Sequence, residues 1–169
     1  MLKPLPIPPP PGTFSGLSTG VSYGTEDGLG PKTFRAACEH AARLLRGKLM
    51  EYHDSLADRD PLNPLPVGHR EASLVYDFGR SRIRVLCNPP LIAFTGLEPE
   101  RNPRTMTFLD VPVLESALGE KLDAIVLRAA NANKQPTPEL IETLEESEKQ
   151  AVDYHRPQRL GEVFFNDWD

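Results

Sequence analysis

Residues 31–58 read PKTFRAACEHAARLLRGKLMEYHDSLAD, and the spacing of their apolar side chains decides the fold. Phe34, Ala37, Cys38, Ala41, Leu44, Leu45, Leu49, Tyr52 and Leu56 recur at steps of three and four, which lines one side of a helix. Pro31 suits the first helical position, where an N–H would have no intrahelical partner. Ala36, Ala37, Ala41 and Ala42 raise helix propensity and allow close approach of whatever packs there, while Gly47 is a weak point. The pattern predicts one amphipathic helix from 31 to about 57.

Downstream, DPLNPLPVGH (60–69) is an extended connector, because the residue before each proline is pushed away from the α region. Two alternating runs follow. In EASLVYDF, Leu74, Tyr76 and Phe78 share a face, and in RSRIRVLCN so do Ile83, Val85 and Cys87. With Gly79 to Ser81 as the turn, these runs predict a β-hairpin. LIAFT (91–95) extends the sheet as a third strand, and TMTFLD (105–110) as a weaker fourth, in an antiparallel meander.

Asp110 is placed to cap a helix that includes Pro112 and carries Leu114, Leu118, Leu122, Ile125, Val126 and Ala129 at helical spacing, with Gly119 able to split it. DAIVLRA reads as the end of that helix, with a strand as the alternative. Thr137, Pro138 and Glu139 mark another helix start, whose inner stripe is Leu140, Ile141, Leu144, Ala151 and Val152 and which Pro157 stops. EVFF (162–165) reads as a last short strand over which Trp168 folds, or alternatively as part of a docking tail.

Working upstream from Pro31, residues 12–30 hold glycines at positions 12, 16, 20, 24 and 28 among Ser and Thr, a poor helix former. Residues 1–11 hold six of the 18 prolines, so 4–11 read as a polyproline II rod of roughly 25 Å. Lys3, Pro6 and Pro9 fit the basic-x-x-P-x-x-P pattern that aromatic grooves bind. The composition favours a flexible arm or one laid along a partner.

The 169 residues suit one core, and charged residues, 25% of the chain, sum to a net −5. Residues 136–169 hold nine acids against three bases, a net of −6, so the remainder is near neutral. An acidic chain is repelled by nucleic acid and by anionic membranes. No apolar run is long enough to span a bilayer, and no apolar stretch follows Met1, so secretion by a signal peptide is not expected. Cys38 and Cys87 read as small buried hydrophobes without a disulfide.

No catalytic motif is legible. Cys38 and His40 point to different sides of a helix, and His53, His69 and His155 have no ligand-spaced partners, so no metal and no cofactor is expected. The acid pairs Glu145-Glu146 and Asp167-Asp169 lie where nothing raises a carboxylate pKa. Arg80, Arg82 and Arg84 form a basic row opposite Ile83 and Val85, fit to grip an acidic partner such as the acidic helix of another copy. Phe164, Phe165 and Trp168 sit among acids as candidate anchors.

Together these readings predict an α+β domain over 31–160, with a long N-terminal amphipathic helix and two or three further helices on a three- to four-stranded antiparallel sheet. A Pro/Gly-rich arm, 1–30, precedes it and an acidic aromatic tail, 161–169, follows. The functional expectation is a non-enzymatic structural component of a multi-subunit particle, for example a bacteriophage head, neck or tail protein. It would dock protein subunits through the arm and tail, in the cytoplasm or in a virion. The alternatives are a regulatory or inhibitory module that clamps a basic partner with its acidic helix, and a small enzyme whose site forms only in the fold.

Overall fold

A computed structural model describes residues 3–4, 29–55, 69–97, 106–144 and 146–165. Its elements are β1 (Lys3–Pro4), α1 (Pro31–Leu44), β2 (Lys48–Asp54), β3 (Arg70–Tyr76), β4 (Ser81–Asn88), β5 (Leu91–Gly96), β6 (Phe108–Leu109), α2 (Pro112–Gly119), β7 (Ile125–Val126), α3 (Ala129–Ala132), α4 (Pro138–Glu142), α5 (Glu146–His155) and α6 (Leu160–Phe164). The class is α+β. Antiparallel neighbours β2-β3-β4-β5 make up most of one sheet in the order β1-β7-β5-β4-β3-β2, with β2 at one edge, and β6 pairs with Phe94–Thr95 of β5 alongside β7.

The long helix is replaced by a helix and a strand. At its end, Gly47 N–H reaches the Ala42 carbonyl (2.8 Å) and Arg46 N–H the Arg43 carbonyl (3.1 Å), a Schellman closure with Arg46 at φ 58. Here the glycine is required for close approach: a Cβ on Gly47 would stand 1.9 Å from the Val75 carbonyl oxygen. The chain then returns as β2 against β3, pairing Leu49 with Leu74 and Tyr52 with Ala72 across a bulge between Leu49 and Glu51. The extra residue, Met50, lets two side chains three positions apart share a strand face. That is why β2 carries a helical spacing.

One face of the sheet takes α1 and α2. Phe34, Ala37, Cys38, Ala41 and Ala42 pack on Ala72, Leu74, Ile83, Val85, Cys87, Ile92 and Phe94, with Leu114 and Leu118 completing this first core. The opposite face of β4 and β5 carries Leu86, Leu91 and Ala93 into a second core with Phe108, Leu127, Ala132, Leu144, Val152, Val163, Phe164 and Phe165. With a core on both faces, β5 is buried over its first five residues.

Several further boundaries differ from the sequence expectation. Ile125–Val126 is a strand parallel to Leu91–Ile92, not a helix end, and Gly119 closes α2. Val111 is the N-cap residue of α2, and the Asp110 carboxylate instead accepts from Ala129 N–H (3.0 Å). Thr137 does cap α4, accepting from Leu140 N–H (3.3 Å). The helix expected to continue to 156 divides into α4 and α5, where the Thr143 hydroxyl donates back to the Leu140 carbonyl (2.7 Å). Glu162, Val163 and Phe164 belong to helix α6, with Phe165 as its C-cap, and its first turn is held by the Glu162 carboxylate accepting from Gln158 N–H (2.8 Å) and Arg159 N–H (3.2 Å).

Lys3–Pro4 pairs parallel with Ile125–Val126 at the sheet edge, a place where proline's missing donor is tolerated. These two residues therefore join a sheet, contrary to their reading as part of an unpaired arm. Residues 5–28 lie outside the described residues.

Gly47→Ala should destabilise the chain by about 2 kcal/mol or more, because backbone must move to admit the methyl group. Arg46→Gly should stabilise by up to about 1 kcal/mol by relieving a left-handed non-glycine. Thermal unfolding of both variants checks the opposed signs.

Candidate functional site

The β3–β4 hairpin closes through Asp77, Phe78 and Gly79, all at positive φ (51, 54 and 86). Two of the three are not glycine, a strained arrangement that persists only where surroundings hold it. The holding contacts come from the end of α1. Asp77 N–H donates to the Leu45 carbonyl (2.9 Å) and Phe78 N–H to the Arg46 carbonyl (3.3 Å), while Arg80 N–H closes on Asp77 (3.1 Å). The Phe78 ring consequently stands in solvent, 68% exposed, with the Arg46 guanidinium 5.2 Å from its centroid.

The same seam gathers charge. Arg43 and Arg46 come from the end of α1, Lys48 from the start of β2, and Arg80 and Arg82 from the hairpin, all exposed. Lys48 and Arg82 flank Val75 in register across three strands. Asp77 is the acid within the turn. Among the described residues no carboxylate forms an ion pair with any of these five cations. Leu44 (49%) and Met50 (51%) add exposed apolar surface on the same segments. This end of the molecule is a cationic, aromatic pole.

The arginine row predicted from sequence thus divides. Arg80 and Arg82 belong to the pole, but Arg84 turns inward, its Nε 2.9 Å from Glu71 Oε1. His69 Nε2 lies 3.5 Å from Glu71 Oε2, and the imidazole stands edge-on to Phe165 (6.1 Å). All three polar side chains are nearly buried, so this cluster ties the polar half of the sheet to the second core. A cavity of about 310 Å³ opens beside it, lined by Glu51, Tyr52, His53, Glu71 and Ser73. Glu71 is thus engaged on both oxygens, by Arg84 and by His69.

Phe164 and Phe165 are completely buried in the second core, and Asn88 Nδ2 donates to the Phe164 carbonyl (2.8 Å). They fill this chain's own interior and are not exposed anchors, because α6 turns both rings against Phe108 and β4. Lys3 lies in β1; Pro6, Pro9 and Trp168 lie outside the described residues. Sequence reasoning missed Arg43, Arg46, Lys48 and Phe78 as members of the site. The available signal was the turn-forming pair Asp77 and Gly79 beside alternating arginines.

Cys38 and Cys87 are free thiols inside the first core. Burial pushes Cys87 up to about 12 against the nearby Arg70 cation, and burial first, then Cys87 and Glu39, raises Cys38. His40 Nε2 instead meets Glu120 Oε2 at 2.9 Å, joining α1 to α2. Among the described residues no three His, Cys, Asp or Glu side chains gather as a metal ion requires, and no helix is long and apolar enough to cross a membrane. Comparison with protein-family models, curated proteins and solved structures finds no match to this chain.

Arg84→Met and Glu71→Leu should each destabilise by about 3 kcal/mol, since each breaks a nearly buried ion pair while leaving the other charge in place, and the double variant by less than the sum. Urea unfolding of the three variants measures the difference. Neither thiol should react with a water-soluble aromatic disulfide at pH 8 until denaturant is added, when both should. The raised thiol pKa values favour the folded state below the free-thiol range of ~8.5. That contribution is lost as pH climbs toward the folded-state values, so stability should decline at alkaline pH.

Proposed function

We propose that this chain is a non-enzymatic structural component of a multi-subunit particle, of the class that includes bacteriophage head, neck and tail proteins. The observation that carries this reading is the cationic pole, where a strained turn keeps Phe78 in solvent beside Arg46 and four further cations. Backbone strain and an exposed aromatic ring both oppose the stability of an isolated chain, and contact with a partner offsets them. Aromatic and arginine side chains are also the types that anchor protein interfaces. Partners of this class are protein subunits, copies of this chain or others, and the Pro/Gly-rich residues 5–28 are the second docking segment of the proposal.

Sedimentation velocity on the purified full chain should show species heavier than the 18.8 kDa protomer. Removing residues 1–28, which also takes away strand β1, should lower the number of protomers per particle while the helical signal in the circular dichroism spectrum persists. A chain that sediments at protomer mass at every attainable concentration contradicts the reading.

A further inference from the structure

The pole has a complement on the same molecule, at the other end. Strand β4 starts at the hairpin turn with Ser81 and ends at Asn88, a rise of about 23 Å at ~3.3 Å per residue. At the Asn88 end the side-chain amide holds Phe164 of α6, and the second core there includes Leu144 and Val152 of the α4–α5 region. These helices expose Glu139, Glu142, Glu146 and Asp153, against Lys149, which lies 3.8 Å from Glu142, and exposed Arg156. Over residues 136–169 the sequence carries nine acids and three bases. A separation of this size exceeds the screening length of ~8 Å at physiological salt, so the two ends do not neutralise one another within one copy.

We infer that the cationic pole of one copy docks on the acidic α4–α5 face of a second copy. This inference rests on the assembly reading and specifies its partner. Charge complementarity argues for the second copy, and the exposed Phe78, Leu44 and Met50 supply apolar contact that a purely electrostatic encounter lacks. A nucleic-acid occupant is disfavoured, because the chain carries a net −5, concentrated as −6 in residues 136–169, and a polyanion is repelled by that excess. The two surfaces are different patches of one molecule, so a copy that engages a different neighbour with each makes heterologous contacts. Copies therefore add head to tail, forming a ring if the rotation closes and a filament if it does not.

The test uses the full chain and two charge-reversed variants that avoid the buried Arg84 and Glu71. The first carries Lys48→Glu, Arg80→Glu and Arg82→Glu; the second carries Glu139→Lys, Glu142→Lys and Glu146→Lys. Sedimentation should show association of the unmodified chain weakened at least about tenfold in each variant alone. It should return when the two variants are mixed, since each then presents the other's missing charge. Unchanged melting temperatures confirm that the variants fold, and the restored mixture excludes misfolding as the cause. If the unmodified chain associates and both variants associate equally well, this interface is overturned while the assembly reading stands. If the unmodified chain stays at protomer mass, both fall. Binding of a single-stranded oligonucleotide that is lost in the first variant, without self-association, overturns the inference in favour of nucleic acid.

Discussion

Two backbone hydrogen bonds fasten the end of α1 to the β3–β4 turn, from Asp77 N–H to the Leu45 carbonyl and from Phe78 N–H to the Arg46 carbonyl. The rest of the structure depends on this seam. It requires the helix to stop at Leu44, the chain to reverse through Arg46 and Gly47, and Gly47 to lie directly against the Val75 carbonyl. Each requirement follows from geometry, because two backbones can approach this closely only where a Cβ is absent. The seam also decides which charges meet: segments more than thirty residues apart in sequence present Arg43, Arg46, Lys48, Arg80 and Arg82 at one end of the molecule.

The sheet separates two kinds of support. On one face, alanines and Cys38 of α1 let a helix settle closely on β3, β4 and β5, and both thiols are held protonated in that apolar setting. On the other face, the second core covers Leu86, Leu91 and Ala93 in the half of the sheet toward Asn88, with β7 at that end and β6 beside the middle of the strands. The remaining part of that face is polar, and Glu71 is the bridge between the halves, holding Arg84 on one oxygen and His69 on the other. This arrangement places the acidic helices at one end of the strands and the cationic turn at the other.

Much of this was legible in residue patterns whose physics is local. Pro31 starts α1, Thr137 caps α4, and the alternation of Leu74 with Ile83, Val85 and Cys87 marks the hairpin. The stop of α1 was not legible, because a bulge at Met50 gives Leu49 and Tyr52 the three-residue spacing of a helix while they sit on one face of a strand. Strand β7 has two residues, too few for alternation to show, and its pairing is with a distant segment. Phe164 and Phe165 looked like tail anchors because their burial depends on Phe108 and Asn88, which sequence order does not bring near. The arginine row was visible as alternation, but the aromatic that completes the pole became apparent only once the turn was seen to hold Phe78 outward.

On the proposed assembly, the seam builds a contact surface for another copy of the chain. Amide hydrogen exchange on the full chain, followed at low and at high protein concentration, addresses it at the level of individual segments. Amides of residues 43–48 and 77–82, together with those of α4 and α5, should exchange more slowly at high concentration while the first core is unchanged. Association accompanied by protection elsewhere, with the turn exchanging at the same rate throughout, would contradict it.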